Sequence, residues 1–342
     1  MRAVPLSTVD DQTFRAALAL QQRDERAADP ASPVTSEPEL RRYAADDRTD
    51  GNRHHRLAVL DDAGTARALV HVELEDDVNN RHLASVEAFG AAGDPDAGLI
   101  GVAAALDLAE ADGRTSMLGW GADTAAEAAF WTGLGAEKKY SERMSALDVT
   151  AVDGDLMQRW VDQRTERAAD VRLVRWEGRC PDEHLGAWIE SRNAMNDAPH
   201  EDLDVNDGEI DAARLRADEE ARLALGTRVM NLFALDPQGG PVGHTTIHVN
   251  TFEPAASWQW DTVVLAAHRR RGIGRWLKAA MWQWLRADAP EVTRLRTGNA
   301  ESNAAMLSIN VAMGFRAAAV FGAWQTDVPT FRRHLAGGRT SK

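Results

Sequence analysis

Hydrophobic and polar positions in the second half of the chain follow the spacings of regular secondary structure. Short apolar or alternating runs predict strands at residues 171–176, 227–235, 241–249, 257–264, 292–298 and from 315 onward. Apolar residues at helical spacing predict helices at residues 181–195, 209–222, 272–287 and 302–313. Three strands with short connections favour an antiparallel meander, while the later strand–helix–strand order favours parallel pairing. The pattern predicts a mixed sheet flanked by helices.

The first half of the chain repeats this order of elements. Residues 131–149 align without a gap on residues 310–328, so that Gly135 falls on Gly314 and both segments end in Asp-Val. Each segment is preceded by a strand, and that strand by a helix ending in Ala-Asp. Two copies of one unit are the simplest interpretation. The predicted fold class is therefore α/β (α+β), with two tandem domains that each hold a mixed, mostly antiparallel sheet flanked by helices.

Length and a polar segment together suggest where the two copies meet. The chain has 342 residues, which is more than a single hydrophobic core usually supports. A polar connecting helix is predicted between residues 154 and 170, before the strand that opens the second copy. We therefore expect an N-terminal domain at residues 1–165 and a C-terminal domain at residues 166–342.

The charge balance narrows the class of partner. The 39 basic and 53 acidic residues give a net charge of −14, which argues against nucleic acid or an anionic membrane surface as the main partner. An acidic protein suits a cationic substrate such as an amine. No apolar run approaches the roughly 18 residues that cross a bilayer, and the start lacks the apolar stretch of a secretion signal, so a cytoplasmic location is expected.

Few residues suggest metal or thiol chemistry. Cys180 is the only cysteine, which excludes a disulfide within the chain and a thiolate metal cluster. Its surroundings fit a strand-to-helix turn better than an activated nucleophile. His244 and His248 lie on one face of a strand, but no third ligand is evident, so no metal site is predicted.

A cationic glycine loop precedes the helix predicted at 272–287. The sequence RRRGIG spans Arg269 to Gly274 and includes Arg270, Arg271, Gly272 and Ile273. A helix N-terminus offers unpaired N–H groups and partial positive charge, and glycines let a phosphate approach the backbone closely. The loop lacks the Gly-Lys-Ser/Thr of a P-loop and the third glycine and acidic ribose partner of a Rossmann site. It predicts a phosphorylated ligand.

This loop resembles the Arg/Gln-x-x-Gly-x-Gly/Ala signature of the GNAT acyltransferase superfamily. A strand ends at Val264, eight residues before the first glycine, and Asn303 and Gly314-Phe315 also stand at the family's spacing. The chain as a whole is similar to actinobacterial tandem GNAT proteins, an architecture that mycothiol synthases share.

The resemblance implies binding of acetyl-CoA. It assigns the diphosphate to the loop, the pantetheine arm to the backbone of Val263 and Val264, and a further contact to Asn303. Arg275 and Lys278 either reach the phosphates or lie on a solvated helix face.

The first half departs from this signature. Aligned on the helix ends, the sequence GDPDAG at residues 93–98 takes the place of the cationic loop. Two aspartates there would repel a polyphosphate. The N-terminal domain is therefore predicted to be a degenerate GNAT-like domain that binds no acyl-CoA and either is structural or shapes the substrate site. The C-terminal domain is predicted to bind acetyl-CoA and to be catalytic.

The residues that would transfer protons differ most from those of GNAT relatives. Relatives carry Glu or His on the strand where this chain has Trp258 and Trp260, and a tyrosine acid where it has Asn310. The predicted candidates are Asp197, His200, Glu201 and Asp261, with Asn310 as a hydrogen-bond partner of the thiolate. In a regular strand Asp261 and Gln259 face away from the two tryptophans.

The resemblance implies an N-acyltransferase that moves an acetyl group from acetyl-CoA to a primary amine by direct attack in a ternary complex. Trp258 and Trp260 are predicted to hold the acceptor, because aromatic faces bind cations and flat groups. A small molecule is the expected acceptor, and the protein a monomer or homodimer. A peptide or protein lysine acetyltransferase and a non-catalytic acyl-CoA sensor are the alternatives.

Overall fold

A computed structural model describes residues 1–30, 32–45, 52–163, 168–197 and 201–338. The chain forms two compact units. Unit 1 contains residues 1–142, 200–207 and 319–342, and unit 2 contains residues 143–199 and 208–318. The division into an N-terminal domain at residues 1–165 and a catalytic C-terminal domain at residues 166–342 stays a prediction.

The buried apolar residues of unit 1 form three clusters. Its helices are α1 (Asp11–Ala28), α2 (Glu37–Ala45), α3 (Pro95–Ala111), α4 (Ala125–Gly133) and α10 (Val328–Gly338). Its strands are β1 (Arg2–Pro5), β2 (Arg53–Leu60), β3 (Ala66–Leu74), β4 (Leu83–Phe89) and β5 (Ser116–Ala122), with the end of β12 (Arg316–Asp327). The strand order is β1-β2-β3-β4-β5-β12, antiparallel except for the parallel pair β4 and β5. A further strand, β6 (Glu137–Asp148), crosses the boundary between the units.

Unit 2 repeats this arrangement. Its helices are α5 (Gly154–Asp162), α6 (Leu185–Asn193), α7 (Ala212–Ala224), α8 (Ile273–Asp288) and α9 (Ala304–Met313). Its strands are β7 (Arg172–Glu177), β8 (Arg228–Leu235), β9 (Pro241–Val249), β10 (Ala256–Val264) and β11 (Arg294–Ala300). They follow the order β7-β8-β9-β10-β11, antiparallel except for the parallel pair β10 and β11. The predicted fold class, two tandem mixed and mostly antiparallel sheets flanked by helices, is confirmed.

The local sequence explains why α8 covers one face of the sheet in unit 2. Ile273, Leu277, Met281 and Trp284 recur at helical spacing and are buried in the core of that unit. The opposite face of the sheet carries α6, whose Trp188 packs on Phe233 of β8. Because both faces are covered, β8 has an almost continuous apolar run, as expected for a buried strand.

Candidate functional site

An open slot separates two neighbouring strands of unit 2. Parallel pairing of β10 and β11 covers only Ala256 with Arg294, Ser257 with Leu295 and Trp258 with Arg296. Both strands continue, β10 to Val264 and β11 to Ala300, but within this fully described stretch no further residues of the two strands pair. The main-chain groups of β10 after Trp258 that do not bond to β9 are therefore able to pair with an extended ligand, apart from the carbonyl of Val264, which accepts from Arg269.

A β-bulge lies in β10 beside this slot. Gln259 pairs with Ile247 and Thr262 with Thr245, so β10 holds one more residue than β9 between these two positions. A bulge breaks the alternation of side chains along a strand. The expectation of a regular strand, with Asp261 on the same face as Gln259, is therefore wrong. Gln259 is buried and bonds to Thr245, whereas Asp261 meets Arg192 of α6 at 3.4 Å.

The predicted phosphate loop ends in the first turn of α8. Gly272 caps the helix at φ +82, and a Cβ at this position would meet nothing within 4 Å, so the space beside its Cα is open. Arg270 also adopts a left-handed conformation, at φ +65. Gly274 lies close to Ile309 of α9, at 3.4 Å from the position of a Cβ, which leaves little room for a larger residue. The loop thus presents main-chain donors, and its shape suits an anion.

Carboxylates within unit 2 already bind two of the three loop arginines. Arg269 donates to Asp197 at 2.7 Å and to the carbonyl of Val264 at 2.9 Å. Arg271 is paired with Asp170. An anionic ligand at this loop would therefore compete with these carboxylates for the guanidinium groups.

The other predicted cofactor residues surround the same slot and loop. Val263 pairs with His244 and Val264 with Gly243 on the β9 side of β10, which leaves the opposite edge toward β11. Asn303 caps α9 by accepting a hydrogen bond from the N–H of Met306 at 3.2 Å. Arg275 is exposed, with its guanidinium over the ring of Trp160 at 5.7 Å. The expectation that Lys278 reaches phosphate or lies on a solvated face is wrong, because the residue is buried.

Two tryptophans of β10 form an aromatic surface on the α6 side of the sheet. Trp260 is 47% exposed and stacks on His248, with ring centroids 5.1 Å apart. Trp258 meets Trp260 edge to face at 6.5 Å, and the guanidinium of Arg296 covers its ring at 5.0 Å. The predicted acceptor residues are therefore in contact with each other, and one indole face is available to a ligand.

Asp261 lies next to this surface in a cluster of unit 2 whose members are mostly partly buried. Burial raises the pKa of its carboxyl above the ordinary value, and Arg192 and then Arg222 act against that rise. Burial also holds the pKa values of His244 and His248 well below 6.5, so both imidazoles are neutral at pH 7. Arg192 is the member of this cluster that the sequence did not reveal, because no motif surrounds it.

The two histidines are hydrogen-bonded rather than placed for a metal. His244 bonds through Nδ1 to Ser191 at 2.7 Å, and the Nδ1 of His248 accepts from Arg222 at 3.3 Å. Over the described ranges, no group of three potential ligands is arranged to hold a metal ion.

A small cavity lies behind His248. It measures about 30 Å³ and is lined by residues that include Trp188, Arg192, Thr246 and His248. Ligand pockets usually measure roughly 300–1,000 Å³. The cavity is therefore well below the usual size of a ligand pocket.

The remaining candidates for proton transfer are more dispersed. Asp197 is tied to Arg269, and Glu201 belongs to unit 1. His200 lies outside the described residues. Asn310 is buried in α9 and donates from Nδ2 to the Oδ1 of Asn299 on β11 at 2.8 Å.

The parallel strands of unit 1, β4 and β5, are fully described, and they have no opening like the slot between β10 and β11. There β4 and β5 pair as far as Glu87 and Trp120, near the ends of both strands. The indole of Trp131 fills the space beside Gly119, where a Cβ would lie 2.5 Å from the ring. Asp94 caps α3 and is bound by Arg67 at 2.6 Å. In unit 1 an aromatic ring thus lies against β5, and a carboxylate paired with an arginine lies at the start of α3.

The geometry agrees with the comparisons to known proteins. Residues 188–315 match the model of the acetyltransferase (GNAT) family, so unit 2 contains a GNAT family domain. This family and fold support acyl transfer from an acyl-CoA as the general class of activity. No sequence among curated proteins matches the chain.

Solved structures extend this likeness to the whole chain. A tandem GNAT protein from the clavulanic acid biosynthesis pathway, in a form without AcCoA, has a TM-score of 0.73 at 22% identity, with 96% of this chain and 98% of that chain covered. A GCN5-related N-acetyltransferase from Sphaerobacter thermophilus has a TM-score of 0.63 at 14% identity, with 96% of each chain covered. The chain has the fold of tandem GNAT proteins.

None of the helices in the described ranges is both long and apolar enough to cross a membrane.

Replacing Asp197 with asparagine is expected to strengthen CoA binding about two- to fivefold, because an exposed ion pair is worth up to about 1 kcal/mol and its loss releases Arg269. Isothermal titration calorimetry with CoA measures the effect. Asp155→Asn removes an exposed carboxylate from α5 of the same unit and serves as the control. Weaker binding in D197N would show instead that Asp197 orients Arg269 for the ligand.

Proposed function

We propose that this protein is an acetyl-CoA-dependent N-acyltransferase that acetylates a primary amine of a small molecule. The observation that carries the proposal is the slot between β10 and β11, which leads to the glycine loop before α8. An extended arm with an amide backbone fits an unpaired strand edge, and a diphosphate fits a helix N-terminus.

The residues around the slot fit such a ligand. The main chain of Val263 and Val264 would pair with the pantetheine arm, and the amides from Arg270 to Arg275 would hold the diphosphate. Asn303, at the start of α9, would contact the arm from the other side of the slot. Gly272 supports this fit, because the space beside its Cα is open.

Asp261 is the residue best placed to accept the proton of the amine. The bulge turns its carboxylate toward the α6 face, where Trp260 and His248 lie, and Arg192 at 3.4 Å keeps it oriented. A carboxyl whose pKa is raised by burial is a stronger base than an exposed one. Asp197, His200 and Glu201 have weaker support in this role, since Asp197 is engaged by Arg269.

The reaction would proceed in a ternary complex. The neutral amine attacks the thioester carbonyl, a C–N bond forms and the amine proton passes to Asp261. The tetrahedral intermediate collapses as the C–S bond breaks, and its electron pair leaves with sulfur. Backbone N–H groups beside the bulge would stabilise the oxyanion. The acceptor would stack on Trp260, whose exposed face suits a flat or cationic group.

The second candidate is a non-catalytic acyl-CoA sensor, and one observation favours it. Asn310 occupies the position of the family's tyrosine and has no proton to give to a thiolate. A sensor would bind acetyl-CoA and release thiol at the rate of the uncatalysed reaction with every amine tested.

Replacing Asp261 with asparagine is expected to lower kcat about 10²- to 10⁴-fold, the usual contribution of a general base. The affinity for acetyl-CoA should stay the same, because Asp261 lies on the acceptor side of β10. Thiol release with a panel of small amines measures kcat, and calorimetry measures affinity.

Asp155→Asn is the matched control for this variant and should retain the activity of the original protein. If D261N retained full activity with an amine that the original protein acetylates, Asp261 would not be the base. If the original protein bound acetyl-CoA without turning over any amine in the panel, the sensor would be the better account.

A further inference from the structure

Lys278 is a buried cation in unit 2 to which the proposed reaction so far gives no role. It lies in the second turn of α8 and is only 1% exposed. Its ammonium lies over the ring of Phe315 at 5.4 Å, and among the described residues no carboxylate pairs with it. Burial of a lysine without a counter-ion is costly, so a chain that keeps one at this position has a reason beyond packing.

Contacts connect α8, which carries Lys278, to the strand β10 that borders the slot. Gly274 precedes it by one turn on the same helix face and is close to Ile309 and to Val264, the last residue of β10. Lys278 itself contacts Phe315, whose N–H donates to the carbonyl of Asn310 at 2.9 Å. Lys278 therefore contacts a residue just past the end of α9, and its helix contacts Ile309, the neighbour of Asn310 in α9.

Asn310 is the second unexplained polar group in this region. Its Nδ2 donates to Asn299 of β11, one wall of the slot. Its Oδ1 is buried and has no hydrogen-bond partner among the described residues. A buried acceptor without a donor is uncommon and points to a group that completes it. A thiol is such a group, because S–H donates and sulfur accepts weakly.

We propose that Lys278 protonates the departing thiolate of CoA and so takes the place of a tyrosine acid. The inference rests on the proposed function, since it requires CoA in the slot. Asn310 has no proton to transfer, and its Oδ1 would accept a hydrogen bond from the CoA thiol once the S–H has formed. The ammonium of Lys278, by contrast, carries three protons.

The protons and electrons balance without a further reactant. When the C–S bond breaks, its electron pair goes to sulfur, and one N–H proton of the Lys278 ammonium moves to that sulfur to give the CoA thiol. Lys278 is left as a neutral amine. The proton that Asp261 took from the acceptor returns to solvent, and Lys278 regains one from solvent, so each turnover yields one amide and one thiol.

The titration of Lys278 suits this role. Burial lowers the pKa of the lysine to about 7. An acid with a pKa near the working pH is protonated in part of the molecules and releases its proton readily. An ordinary exposed lysine would hold its proton too tightly.

The contact between Lys278 and the CoA sulfur is tested by comparing the affinities for CoA and for desulfo-CoA, which lacks the thiol. This measurement needs no acceptor amine. The original protein should bind CoA about 10-fold or more tightly than desulfo-CoA, as expected when a charged group bonds to the missing atom. In Lys278→Met the two ligands should bind almost equally. Arg286→Met, an exposed cation on the same helix, should keep the original ratio. An unchanged ratio in K278M would overturn the role of Lys278.

A second measurement requires no variant. An ammonium beside the sulfur lowers the pKa of the bound thiol, so the ultraviolet absorption of the thiolate should appear at lower pH in bound CoA than in free CoA. The same titration pH in both forms would contradict the proposal. If the original protein bound neither CoA nor desulfo-CoA, the proposed function itself would fail. Binding of both with no effect of Lys278 would remove only this inference.

Discussion

Replacing Lys278 with methionine is expected to raise the free energy of unfolding of unit 2 by on the order of 4 kcal/mol at pH 7. The buried ammonium has a pKa of about 7 against an ordinary 10.5 in the unfolded chain. Each pH unit of that difference corresponds to 1.36 kcal/mol that opposes folding. Methionine has similar length and flexibility and carries no charge into the core.

The dependence on pH has a definite sign. Between about 7 and 10.5 the unfolded chain binds a proton at Lys278 that the folded chain does not, so stability rises with pH. The difference in free energy of unfolding between K278M and the original protein should therefore be greatest and constant below pH 7. It should fall to about 2 kcal/mol at pH 9.

Urea unfolding of both proteins from pH 6 to 9 measures this difference. Lys138→Met, which removes a partly exposed lysine paired with Asp123 in unit 1, should change stability little at any pH. A K278M protein that is less stable than the original would show that the ammonium has a stabilising partner within the folded chain.

Reversing the charge of Arg269 and Arg271 together is expected to weaken CoA binding by at least about 100-fold, because each arginine–phosphate contact is worth roughly 1.5–3 kcal/mol and glutamate adds repulsion. The arginines flank the loop in front of α8, and their present partners Asp197 and Asp170 are replaceable by phosphate oxygens. Calorimetry with CoA measures the change. For the original protein, added salt should weaken binding.

The control keeps the same change in net charge. Arg286→Glu with Arg316→Glu reverses two exposed arginines elsewhere in unit 2 and should alter binding only slightly. If R269E/R271E bound CoA as tightly as this control, the loop would not hold the diphosphate and the proposed function would lose its basis.

The secondary structure of unit 2 was largely predictable because its apolar periodicity is strong. The strand predicted at 241–249 is β9 at Pro241–Val249, and the helix predicted at 272–287 is α8, shifted by one residue. The helices pack on both faces of the sheet in unit 2, so the residues that are buried are those that the apolar spacing indicates. The glycine at position 272 has a local reason, since the positive φ there favours that residue type.

The side chains of the site were harder to place. The direction of Asp261 depends on one extra residue in β10, and a bulge leaves no reliable mark in a single sequence. Lys278 was expected near phosphate or solvent because lysine is rarely buried, and only the packing of α8 against α9 shows otherwise. The roles of the predicted site residues stay predictions.

The contribution of residues 319–335 to unit 1 has a consequence for how the chain folds during synthesis. Trp324, Phe331 and Leu335 are buried in the same apolar cluster as Trp131 and Val86. Part of β12 also pairs with β5, from Phe321 with Ala122 to Asp327 with Ser116. A nascent chain that has emerged only as far as residue 165 lacks these side chains and this strand. The half that leaves the ribosome first must therefore wait for the last segment before its interior closes, and until then it depends on chaperones or on its own solubility to avoid aggregation.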